Sequence, residues 1–219
     1  MIRTLPGLPQ LRPGAVYCIG RNYAEHAKEL NNPIPKSPII FMKPACSLLE
    51  DWGNVQIPTG SENVHHEAEL VIAIGKEGKN IPREKAFDYI AGYAIGIDVT
   101  ARDIQDTLKS AGKPWLLAKG LDTFAPLGNF VPTSDISNPA DISIKLWVND
   151  ELRQDGNTRN MIFPIDDLIS RLSSHFTLLP GDVIYTGTPE GVGPMSHGDT
   201  VRAIINNGRS SINVSVSNS

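Results

Sequence analysis

The 219-residue chain sets 20 Lys and Arg against 24 Asp and Glu, a formal net charge of −4, and shows no basic cluster interleaved with aromatics, which argues against a nucleic-acid partner. Its 40% hydrophobic and 20% charged content is that of one globular domain spanning residues 1–219, and 19 Gly with 17 Pro favour strands and turns over long helices. No apolar run of about 18 residues marks a membrane span, and the prolines within Met1–Leu11 interrupt what a secretory signal would need, so a cytoplasmic protein is expected.

In chain order, Ala15–Gly20 predicts a short buried strand, and Asn22 is placed to cap a helix from about Tyr23 to Leu30. Ile39–Met42 is extended and ends at Lys43-Pro44. Two further strands, Glu67–Ile74 and Gly92–Thr100, both carry carboxylates; Thr100 then caps a helix over Ala101–Ser110. Ile142–Val148 alternates apolar and polar residues and turns at Asn149-Asp150 into a hairpin. The clearest helix is Ile165–Phe176, with Ile165, Leu168, Ile169, Leu172 and Phe176 on one stripe behind a proline. Leu179-Pro-Gly-Asp182 turns into the strand Val183–Thr186, and a glycine-rich loop runs from Gly187 to Pro194. The sum is an α+β, beta-rich fold. Cys18 and Cys46 stand outside any C-x-x-C or zinc spacing and are expected as buried thiols.

Alternation along a strand puts Glu67 and Glu69 on one face. Two glutamates at that spacing ordinarily mean a solvated face, but Asp98 shares its side of the next strand with Ala94, Gly96 and Thr100, whose small side chains leave room for a pocket. Three carboxylates brought together must be protonated, paired or neutralised by a cation. All-oxygen donors favour Mg²⁺, Mn²⁺ or Ca²⁺ over Zn²⁺. His65-His66-Glu67 is no zinc-protease motif, because Leu70 stands where the second histidine belongs. His26 and Glu29 are i, i+3 neighbours, the spacing of a base and its orienter, though such a pair is more often an exposed polar pair. Lys119, after Trp115-Leu-Leu-Ala118, is either a desolvated ammonium facing an anion or a surface lysine. The loop Thr186–Gly193 offers N–H groups and hydroxyls to a carboxylate, and equally reads as an ordinary long turn.

Together, Gly20-Arg-Asn-Tyr-Ala-Glu-His26 with Glu29, His66-Glu-Ala-Glu69, Gly96-Ile-Asp98, Leu117-Ala-Lys119 and Thr186-Gly-Thr-Pro-Glu-Gly-Val-Gly193 resemble the fumarylacetoacetate hydrolase family over about residues 15–215. The likeness is greatest to its short, single-domain branch of acylpyruvate hydrolases and oxaloacetate decarboxylases or tautomerases. The resemblance implies a mixed beta-roll of the kind that forms that family's C-terminal domain, a homodimer, and Glu67, Glu69 and Asp98 as ligands to Mg²⁺ or Mn²⁺. It further implies a catalytic His26–Glu29 pair on a helix that closes over substrate, a catalytic or anion-stabilising Lys119, and Arg21, Arg102, Gln105 and Thr188 as substrate contacts. No large N-terminal domain precedes the motifs, which argues against fumarylacetoacetate itself as substrate.

The implied chemistry is enolate formation from a small 2-oxo acid, with charge on the 2-oxygen stabilised by the cation. Hydrolysis of the C3–C4 bond of an acylpyruvate and keto–enol tautomerisation of oxaloacetate stand nearly level, with oxaloacetate decarboxylation behind them. A non-catalytic dicarboxylate-binding module and a structural Ca²⁺ site are the rivals from other classes.

Overall fold

The computed structural model describes residues 2–219; Met1 lies outside them. Most of the chain is strand. A six-stranded mixed sheet runs in the order Val131–Pro132, Ile90–Ile97, Ala68–Ile74, Val183–Tyr185, Val16–Gly20, Ile39–Lys43, with the fourth and fifth parallel and the rest antiparallel. A five-stranded sheet runs Glu151–Asn157, Ser143–Val148, Thr200–Ile205, Ser210–Asn218, Gly53–Ile57, and only its last pair is parallel. The beta-rich α+β expectation and its mixed roll are what is found.

Both faces of the first sheet are covered, which is why Ala68–Ile74 is buried at every position. Leu70, Ile72, Tyr93, Ile95 and Ile97 pack with Ile144, Leu146, Ile205 and Ile212 of the second sheet. Val71, Ala73, Ala94 and Tyr185 form a second cluster with Ile2, Leu5, Leu8 and Phe130. Ser143–Val148 shows the expected period of two, with Ile144, Leu146 and Val148 inward. Asn149 and Asp150, at φ of 50° and 65°, make the tight turn of the hairpin.

Several local expectations give way to tertiary contacts. The first helix is Ala24–Glu29, and Asn22 does not cap it. The Asn22 side chain instead donates to the Phe163 and Thr186 carbonyls and accepts from the Phe163 N–H, joining three segments. Thr100 does not cap Arg102–Ser110; its hydroxyl donates to the Asp98 carbonyl. The long helix ends at His175, because Phe176 is extended and packs its ring 5.3 Å from Tyr17, leaving it 39% exposed. Cys18 is buried, but Cys46 is exposed in a single 3-10 turn.

Candidate active site

Strand register assembles the acidic group. Ala68 lies opposite Ile97 and Glu69 opposite Gly96, and the Asp98 N–H donates to the Glu67 carbonyl just beyond the last pair. Residues opposite each other in an antiparallel pair share a face, so Glu67, Glu69 and Asp98 fall on one side. One oxygen from each lies within 4.8 Å of the others, and all three residues are buried. The space that Gly96 leaves is not part of the cavity as expected: a Cβ there would meet the Tyr185 ring at 2.6 Å, so the ring fills it. Asp98 reaches the cleft because it sits one residue past the strand end at Ile97.

The carboxylates form the floor of a cleft of about 160 Å³. Every site residue expected from the sequence lines it, including Arg21, Gln105 and Thr188, except Glu29, which stands behind His26. Lys119 ends the short helix Leu116–Lys119 and holds Glu67 Oε2 at 2.8 Å and Asp98 Oδ2 at 2.7 Å, with its ammonium over the Phe41 ring. The Arg102 guanidinium donates to Glu67 Oε1 through Nη2 and to Gln105 Oε1 through Nη1 at 2.7 Å; its Nε is buried without a partner. Glu69 Oε2 accepts the Gly187 N–H at 2.7 Å. His26 Nδ1 lies 3.2 Å from Glu29 Oε2, and Glu29 Oε1 accepts the Gly191 N–H at 3.0 Å. The glycine-rich loop thus spends two of its N–H groups on the protein's own carboxylates.

Two residues that sequence reasoning passed over complete the site. Lys43 ends the edge strand with its side chain fully buried, 2.7 Å from Asp98 Oδ1. Its three protons go to the carbonyls of Val99, Phe124 and Lys119, so Asp98 Oδ1 has a neighbouring charge but no hydrogen bond. Gln154, from the second sheet, bonds His66, Ala68, Thr188 and Pro189. Lys43 closes an otherwise apolar run, Ile39-Ile-Phe-Met, which is a faint sign of a buried ammonium; Gln154 lies in the polar string Glu-Leu-Arg-Gln-Asp and gives none.

The electrostatics separate the two glutamates. Burial pushes both up, but the Lys119 and Arg102 charges overcome it at Glu67 and hold that carboxyl well below the usual range. Glu69 lacks an ion pair among the described residues; burial, then the charges of Asp98 and Glu67, drive it well above that range. Burial opposes charge on Lys119, yet Asp98 and Glu67 raise it. The donor set fits a hard divalent cation: three clustered, buried carboxylates, and a glutamate whose charge still needs a partner.

A beta-roll with a buried acidic triad flanked by Lys and Arg belongs to metal-assisted chemistry on small anions. The family model for the fumarylacetoacetate hydrolase C-terminal region matches residues 15–215, and the chain belongs to that family. A mitochondrial oxaloacetate tautomerase of Arabidopsis thaliana is 48% identical over 188 residues, 86% of this chain and 84% of the relative. A mitochondrial oxaloacetate decarboxylase of Dictyostelium discoideum is 44% identical, over 85% of this chain and 86% of the relative. The crystal structure of a fumarylpyruvate hydrolase from Pseudomonas aeruginosa with Mn²⁺ and pyruvate superposes with a TM-score of 0.92 at 38% identity, covering 99% of this chain and 95% of the other.

Proposed function

We propose that the protein is a Mg²⁺- or Mn²⁺-dependent oxaloacetate keto–enol tautomerase. The observation that carries the proposal is the buried cluster of Glu67, Glu69 and Asp98, with no ion pair on Glu69 among the described residues, set among Lys43, Lys119 and Arg102. The tautomerase and decarboxylase names of similar relatives support oxaloacetate as the substrate.

Glu67, Glu69 and Asp98 hold the cation, which when bound supplies Lewis-acid stabilisation of negative charge on a 2-oxo oxygen. Arg102, Arg21 and Gln105 along the wall bind substrate oxygens. The Lys119 ammonium keeps positive charge where the enolate forms. Glu29 engages His26 Nδ1, leaving Nε2 to take a proton from C3. Returning that proton to the 2-oxygen gives the enol, and the reverse transfer gives the ketone. Thr188 and the enclosing wall orient the substrate carboxylate.

A second reading, hydrolysis of acylpyruvates, is favoured by the His26–Glu29 pair and by the fumarylpyruvate hydrolase likeness. There His26 Nε2 would deprotonate water, hydroxide would add to the C4 carbonyl, and the C3–C4 electron pair would leave with pyruvate as its enolate. The proposal extends to one catalytic unit over residues 1–219, acting as a homodimer in the cytoplasm. Among the described residues no helix is long and apolar enough to cross a membrane. Sedimentation and cell fractionation test those two points.

The deciding experiment follows the ultraviolet enol band of oxaloacetate and acetylpyruvate with and without Mn²⁺ while assaying released pyruvate. Metal-dependent loss of the oxaloacetate enol band without pyruvate is the expected result. Stoichiometric pyruvate from acetylpyruvate selects hydrolysis, pyruvate from oxaloacetate selects decarboxylation, and silence throughout rejects all three. His26→Ala should abolish any hydrolysis, and Asp98→Ala should abolish turnover and Mn²⁺ binding together.

A further inference from the structure

Gln154, on the strand Glu151–Asn157 of the second sheet, is fully buried behind Thr188, which lines the cleft. All four of its amide hydrogen-bonding positions are used. Oε1 faces the Ala68 N–H at 2.9 Å and His66 Nδ1 at 3.1 Å; Nε2 faces the Pro189 carbonyl at 3.0 Å and Thr188 Oγ1 at 2.8 Å. Two of these partners have a single role. A backbone N–H only donates and a carbonyl only accepts, so the orientation of the amide is fixed by chemistry.

Two consequences follow for the ambiguous partners. His66 faces an acceptor, so its Nδ1 carries the proton. Thr188 Oγ1 faces a donor, so one of its lone pairs is occupied and its own proton must point elsewhere. The remaining protein acceptor is the Pro189 carbonyl at 3.3 Å, already bonded to Gln154, and beyond the usual O–H···O range of about 2.5–3.0 Å. That proton is parked in a weak contact at the wall of the cleft.

We propose that Gln154 is a positioning residue that commits the Thr188 hydroxyl to donating into the cleft, so that this end of the site selects an acceptor-only group, a substrate carboxylate, over a hydroxyl or amine. The inference rests on the reading of the cleft as a 2-oxo acid site. It gives the second sheet a part in substrate recognition, through one side chain that touches no substrate.

Long-range proton–nitrogen NMR of the metal-free protein tests the polarity directly: His66 should carry its proton on Nδ1, and a proton on Nε2 overturns the proposal. Binding tests the coupling, with oxalate as an unreactive 2-oxo acid mimic on Mn²⁺-loaded protein. Gln154→Glu and Thr188→Val should each weaken oxalate about tenfold or more, with the double variant no worse than either single and Mn²⁺ affinity unchanged. Gln154→Met, similar in volume but without donor or carbonyl, serves if the glutamate variant fails to fold. Multiplying effects, or loss of Mn²⁺ binding in step with oxalate, would show that Gln154 does not act through Thr188. Should wild-type protein bind Mn²⁺ but not oxalate, the 2-oxo acid reading fails, while the His66 proton still decides the polarity.

Discussion

Glu69 is the carboxylate on which metal binding should depend most visibly on pH. With its carboxyl raised well above the usual range by burial and by Asp98 and Glu67, the metal-free site holds a proton there that a cation must displace. Mn²⁺ affinity should therefore fall about tenfold per pH unit below the Glu69 pKa, with about one proton released. Calorimetry in buffers of different ionisation enthalpy counts that proton. Metal-free stability moves the opposite way with pH: a raised carboxyl stabilises the fold while protonated and loses that contribution as pH rises through its folded value. Metal-free Glu69→Gln should melt higher than wild type at high pH and equally in acid. Glu67 carries the opposite sign, because Lys119 and Arg102 hold it ionised, and Glu67→Gln should destabilise at neutral pH. The shared face of the acidic residues was legible from strand alternation; the room expected beside Gly96 is instead taken by the Tyr185 ring. The pairing of the acidic residues was not legible, because Lys43, Lys119 and Arg102 come from three segments that no periodicity relates.

At the level of elements, regular periodicity read correctly and capping rules did not. The half-buried strand Ser143–Val148 and the helix Ile165–His175 stand where spacing puts them. Asn22 and Thr100 have the chemistry of helix caps, but long-range partners claim both side chains. Asn22 makes three buried hydrogen bonds with two carbonyls and one N–H, between the first helix, the segment before Ile165–His175 and the Thr186 loop. Asn22→Ala would leave those groups unsatisfied at a cost of about 3 kcal/mol. Thermal melting should drop by roughly 6–12 °C in a chain of this size. A loss within a degree would mean that the three segments are held by packing alone.

Across the whole molecule, the two sheets pack through their apolar core and touch again at the loop that carries Thr188. Gly156, in the strand of Gln154, lies against Pro189 so closely that a Cβ would stand 2.4 Å from the proline ring. Gly156→Ala must displace that ring and with it the neighbouring Thr188 hydroxyl, which lines the same cleft as the acidic cluster. Because misplacement by about 1 Å can cost about 100-fold in rate, kcat/KM should fall at least tenfold while Mn²⁺ affinity holds. Unchanged kinetics would show that the loop yields without moving Thr188. This contact joins residues 33 apart in sequence with no shared pattern, which is why the fold class was readable and the seam between its sheets was not.

The two cysteines provide an internal clock. Cys46 is exposed and should react readily with a thiol reagent, though more slowly than a free peptide thiol because partial burial and the Asp122 carboxylate push its thiol up, whereas Cys18, buried in the strand next to the edge of the first sheet and opposite Tyr185, can react only when that sheet opens. Labelling kinetics thus report the opening free energy of the strand that backs the acidic cluster, with Cys46 as the built-in reference. Mn²⁺ should slow Cys18 by the factor 1 + [Mn²⁺]/Kd, continuing past saturation of the site, and leave Cys46 unaffected. Equal slowing of both would place the effect in the reagent, and no slowing of either would mean that the cation binds outside the unit that Cys18 monitors.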